Sequence, residues 1–150
     1  MLVIKFLGVV LVVCSGSFIG FLKSGKLIQR YKKLSLLIEG TNLLYEYINQ
    51  ENFELEIAIK NAFYKCCFLK FKGGKCFCDD NDLKNDKSLI EEFFNTLGHS
   101  SKKIECDRIN CFKLKLIKEL NYAKNDVDQK SKTYKTLGVC FGLILGILLI

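Results

Sequence analysis

Apolar and polar positions are divided unevenly along the chain. No residue of 6–22 or of 136–150 carries a charge, whereas the segment between them mixes apolar and charged positions at helical spacing. Leu27, Tyr31, Leu34, Ile38, Leu44 or Tyr45, and Ile48 recur mostly at steps of three and four, the spacing of one helix face. The first apolar stretch is therefore expected to continue as a long amphipathic helix to about Asn49. A second helix is expected over 53–71, with Leu55, Ala58, Ile59, Ala62 and Cys66 on one face. Gly73-Gly74 and the polar run after it break that helix into an exposed loop. The β-formers clustered in "CCFLKFKGGKCFC" leave a short hairpin as the lesser alternative there. A third helix near 86–97 would bury Leu89, Ile90, Phe93, Phe94 and Leu97, and Gly98 suits the position just beyond its end. Ser100 or Ser101 can cap a last helix, whose stripe is Ile109, Phe112, Leu116, Leu120, Ala123 and Val127.

The lengths of the apolar ends give them a meaning. A membrane-spanning helix needs roughly 20 apolar residues. The 17 residues of 6–22 cover about 26 Å, and a snorkelling Lys5 extends them to a full span. The 14 residues of 137–150 cover only about 21 Å; starting at Thr133 gives 18 residues and about 27 Å. The fold class predicted is all-α: an antiparallel helical cytoplasmic domain over 23–135, flanked by transmembrane helices over 1–22 and 136–150. A lipoprotein cut before Cys14, or an ordinary signal-peptide cut near Ser15 or Ser17, is the alternative for the N-terminus. Val13 stands where the lipoprotein site has a small residue, and the apolar run continues past either cut.

Charge sets the orientation. The segment 23–135 holds all 16 acidic residues and 22 of the 23 basic ones, a net charge of +6. Lys23, Lys26, Arg30, Lys32 and Lys33 follow the first span, and Lys130, Lys132 and Lys135 precede the second. By the positive-inside rule the middle faces the cytoplasm. Acids are interleaved with these lysines and no recognition motif appears, so nucleic acid is not an expected partner. Anionic lipid head groups are.

The candidate chemistry is sparse. Cys66-Cys67 and Cys76-x-Cys78 are the one dense group among eight cysteines. Four thiolates can hold zinc, but adjacent cysteines and C-x-C depart from the C-x₂-C pairing of structural zinc sites, so no metal or cofactor is expected; a zinc or redox protein is the alternative. His99 is the only histidine, Asp79-Asp80-Asn81-Asp82 lacks the glycine and distal glutamate of a calcium loop, and no phosphate-binding glycine loop occurs. No catalytic residue is assigned. In the apolar ends, Gly16 and Gly20, then Gly138, Gly142 and Gly146, stand four residues apart, which puts each set on one face and predicts close helix packing.

The segments "GSFIGFLKSGKL", "LSLLIEGTNLLYEYI", "EFFNTLGHSS" and "KSKTYKTLGVCFGLILGILLI" resemble the stage III sporulation protein AB family of spore-forming bacteria. The most specific likenesses are the turn at Leu97, Gly98 and Ser100 and the entry at Tyr134 and Leu137-Gly138 into a short terminal span. The cysteine-rich loop is not part of the resemblance. The resemblance implies a membrane protein of the channel complex between mother cell and forespore, in the outer forespore membrane, with its domain facing the mother-cell cytoplasm. It further implies a domain similar to the cytoplasmic helical domains of the type II secretion platform protein F. The implied task is scaffolding between a secretion-type ATPase and membrane rings, with other stage III proteins as partners and a homo-oligomer left open. A membrane-anchored lipoprotein or a cysteine-based zinc or redox protein is the alternative.

Overall fold

The computed structural model describes residues 2–50, 54–72 and 75–148, and their side-chain surroundings except at 2–7, 9–10, 12–13, 16–17, 19, 75, 142–143, 145–146 and 148. In chain order the elements are α1 (Leu2–Asn49), α2 (Leu55–Ala62), β1 (Leu69–Lys72), β2 (Lys75–Cys78), a 3₁₀ turn (Asn81–Leu83), α3 (Lys87–Thr96), α4 (Lys102–Asp126), a π-helical segment (Val127–Ser131) and α5 (Lys132–Leu148). The protein is mostly helical, as the periodicity predicts. Among the described residues no helix is long and apolar enough to cross a membrane.

The second helix expected over 53–71 is corrected: α2 ends at Ala62, and β1 and β2 pair antiparallel beyond it. Local bonds unwind the chain after Ala62. The Cys66 N–H donates to the Phe63 carbonyl and the Leu69 N–H to the Cys66 carbonyl, each at 2.9 Å. From Leu69 the side chains alternate at period two, so helix would leave Lys70 and Lys72 no better solvated, whereas the hairpin buries Leu69, Cys76 and Cys78 together.

The chain forms two compact units, residues 30–121 and residues 1–29 with 122–150. The core of the 30–121 unit takes Leu34, Leu37 and Leu44 from α1, Ala58 and Ala62 from α2, Leu83 from the 3₁₀ turn, Ile90, Phe93 and Phe94 from α3, and Ile109, Phe112 and Leu116 from α4. Aromatic contacts organise it. The Phe93 and Phe112 rings stack with centroids 3.8 Å apart, and Phe94 meets Phe63 and Phe71 edge-on at 5.0 and 5.3 Å. Gly40 is what lets Phe63 approach α1, since a Cβ there would lie 2.5 Å from the Phe63 ring.

The other unit is built from the first part of α1 and the run through the π-helical segment into α5. Ser24 and Ser131, both buried, share a hydrogen bond of 2.5 Å. Lys23 lies over the Tyr134 ring and Lys135 over the Phe21 ring. Leu11, Phe18, Phe21, Leu22, Leu137, Phe141, Ile144 and Ile147 are all more than half exposed.

Candidate functional site

The turn between α3 and α4, in the 30–121 unit, is held by side-chain hydrogen bonds. Thr96 ends α3, and Gly98 takes φ +91°, a left-handed conformation that reverses the chain. One side chain then fixes the turn: Glu105 Oε1 accepts from the Gly98 N–H at 3.2 Å and the Ser100 N–H at 3.0 Å. Arg108 donates to the same oxygen at 3.1 Å, to Ser100 Oγ at 3.3 Å and to the Thr96 carbonyl, placing a cation at the C-terminus of α3. Leu97 is buried beneath the turn and Ser100 is exposed. The three residues singled out in the sequence therefore sit together, but the two that hold them were not found there. Glu105 lies four residues after Ser101, one beyond the capping-box spacing, so its role left no motif.

Gly98→Ala is expected to destabilise the protein by about 1–2 kcal/mol, because an L side chain at this φ strains the backbone. A Cβ would also press Leu55 Cδ2 at 2.5 Å, though that flexible end can move. Urea unfolding checks it, and an unchanged midpoint would show that the turn tolerates a side chain.

Beside the turn, a groove of about 500 Å³ is floored by Leu55, Ile59, Phe71, Phe94 and Leu97 and rimmed by Glu56, Lys60 and His99. His99 is exposed on this rim.

Two ionic clusters tie α1 to the 80–86 segment and to α4. Arg30 grips Asp86 through Nε to Oδ2 at 2.8 Å and Nη2 to Oδ1 at 2.7 Å, and Nη2 also donates to Glu119 at 2.9 Å. The Asp86 hydrogen bond is the largest cause holding the Arg30 guanidinium above its ordinary value, against its burial. Asp86 occupies the N-cap of α3 yet makes no side-chain cap bond, since its carboxylate is committed to Arg30. Lys33 Nζ donates to Asp80 and Asp82, each at 2.6 Å. Burial works against the Lys33 charge, but the two carboxylates outweigh it and raise its pKa. The acidic run, expected in an exposed loop, is thus partly a counter-ion set for α1.

The cysteines do not converge on a metal centre. Cys66, Cys76 and Cys78 are buried and Cys67 is exposed; among the described residues no three His, Cys, Asp or Glu side chains are placed to hold a metal ion. Burial pushes the Cys66 thiol up to about 12, with Cys67 and Glu39 adding to it. Burial does the same at Cys76, also to about 12, with Cys78 and Glu91 adding to it. Such thiols are poor nucleophiles near neutrality. Iodoacetamide at pH 8 is expected to modify exposed Cys67 and Cys111 and to spare Cys66 and Cys76 in the native chain. Because the folded state holds these two protons more tightly than the unfolded one, their contribution is present below about pH 9 and is lost as pH rises toward 12. The urea midpoint should fall over that window. Fast labelling of Cys66 or Cys76 before unfolding would contradict the burial.

In the other unit, Gly20 is buried against α5: a Cβ added there would lie 2.5 Å from the Tyr134 carbonyl oxygen and 3.4 Å from Gly138 Cα. Gly16, Gly142 and Gly146 lie outside the residues whose side-chain surroundings are described.

A family model described as stage III sporulation protein AB matches residues 5–68 and 81–150. No curated protein and no solved structure matches the chain.

Proposed function

From the premise that the chain belongs to the stage III sporulation protein AB family, we propose that it is a non-enzymatic assembly platform of the mother cell–forespore channel complex. Membership itself carries a role in stage III of spore formation, alongside other sporulation proteins. The finer reading couples a secretion-type ATPase on the cytoplasmic side to membrane rings, with the chain in the outer forespore membrane and its middle in the mother-cell cytoplasm. One observation carries it: the match takes in both apolar ends and nearly all of the segment between them.

The anchoring part of the proposal rests on the sequence. Residues 6–22 and 136–150 are free of charge, and basic residues cluster next to them on one side. The exposed apolar side chains of α1 and α5 suit a hydrocarbon solvent better than water, where so large an apolar surface is uncommon. In lipid no hydrophobic force drives two helices together, so close backbone approach at small residues takes over. Gly20, Gly138 and, by spacing, Gly16, Gly142 and Gly146 are proposed as that packing surface. Leu97, Gly98 and Ser100 are proposed as a structural turn whose rigidity presents the ends of α3 and α4 to other components.

An in-frame deletion in the source organism is the direct test. The expected outcome is a block after engulfment, with few heat-resistant spores and a silent late forespore-specific reporter. Normal spores, in a strain with no second copy of the gene, would sink the platform role.

A further inference from the structure

Residues 69–80 fall between the two blocks matched by the family model, and they contain the whole hairpin, β1 and β2. The register sorts its side chains onto two faces. Leu69 pairs with Cys78 and Phe71 with Cys76 on one face; Lys70 pairs with Phe77 and Lys72 with Lys75 on the other. The first face belongs to the core: Leu69, Cys76 and Cys78 are buried and Phe71 leans on Phe94. The Cys78 N–H also donates to Glu91 of α3 at 3.1 Å, fixing β2 in place.

The second face has no such duty. Phe77 is 47% exposed there, between lysines, at a position where packing asks for nothing apolar. Lys70 and Lys72 are exposed as well, and Lys70 makes an exposed 2.8 Å pair with Asp79. A pair so exposed contributes little to stability and is readily exchanged for another carboxylate.

We propose that this hairpin, which lies between the two blocks of the family match, is a docking finger for an acidic protein segment. Phe77 is the apolar anchor, and Lys70 and Lys72 pair with the segment's carboxylates. An exposed aromatic beside exposed cations complements a segment that carries both apolar and acidic side chains. Recognition of an anionic membrane surface takes clusters of about 4–8 basic side chains. Lys70 and Lys72 are too few for that, and Lys70 already pairs with Asp79, so a protein segment fits the face better. The inference stands apart from the platform role, since it needs only the hairpin's faces and the gap in the family match.

The test uses the full chain in phosphatidylcholine nanodiscs and a fluorescein-labelled dodecapeptide of alternating Glu and Leu. Saturable binding that weakens with added salt is expected, as is no binding of the same peptide with Lys in place of Glu. Phe77→Ser combined with Lys72→Glu should weaken binding by about tenfold or more. Both side chains are exposed, so the variant should melt with the wild type. Should it melt early, Lys72→Glu alone serves, with a loss of about threefold. Equal affinity of wild type and variant would overturn the proposal. So would capture of the wild type, but not the variant, by phosphatidylglycerol vesicles when the peptide does not bind, which would assign the face to lipid.

Discussion

Arg30→Met is expected to lower the unfolding free energy by about 3–5 kcal/mol, the usual cost of leaving one member of a buried ion pair alone. The stranded group is Asp86, whose side chain is 2% exposed and which meets Arg30 through two hydrogen bonds of 2.8 and 2.7 Å. Methionine fills the volume of the Arg30 stem but offers no proton, so the carboxylate must stay charged without a partner or take up a proton. The companion variant Arg30→Met with Asp86→Asn removes the stranded charge and is expected to recover most of the loss. Urea unfolding of the full chain, followed by far-UV circular dichroism, reads both. A single variant as stable as the wild type would mean that Asp86 is solvated. A double variant no better than the single would place the loss in the packing of the arginine stem.

Gly20→Leu is expected to separate α1 from α5 in the unit that carries the apolar ends. Even the first carbon of the new side chain would lie 2.5 Å from the Tyr134 carbonyl oxygen. That oxygen is main chain, so no rotamer change relieves the clash and one helix must shift. Overpacking of this kind costs about 1–3 kcal/mol. Ser24 and Ser131, whose oxygens lie 2.5 Å apart, supply the readout. In a background with the native exposed cysteines replaced by serine, Ser24→Cys with Ser131→Cys should cross-link readily under mild oxidation. Adding Gly20→Leu should slow that cross-link by about tenfold or more. An unchanged rate would remove Gly20 from the proposed packing surface.

Much of the helical frame was legible because it rests on short-range regularities. The stripe from Leu27 to Ile48 predicts a helix to about Asn49, and α1 ends there. The apolar spacing of 86–97 predicts α3, and Gly98 follows it with the positive φ that its place suggests. The second helix failed where two periods compete. Leu55, Ala58, Ile59 and Ala62 carry helical spacing, but beyond Cys66 the alternation of Leu69, Lys70, Phe71 and Lys72 suits a strand equally well. The core decided it, by burying Leu69, Cys76 and Cys78 against α3 and its surroundings. The acidic run misled for a related reason. Asp80, Asp82 and Asp86 look like solvated turn residues until their partners Lys33 and Arg30, about fifty residues earlier, are brought alongside.

Short-range pattern alone places α1, α3 and α4, the charge-free ends and the family resemblance. These depend on periodicity, composition and local motifs, which act over a few residues. Packing in three dimensions is what pairs β1 with β2, sets Glu105 and Arg108 at the turn of Gly98, commits Arg30 to Asp86 and brings Gly20 against the backbone at Tyr134. Each joins groups whose encounter is set by packing and desolvation rather than by spacing along the chain. A buried charge takes whichever opposite charge the fold brings within reach, and a helix face without side chains takes whichever backbone fits against it.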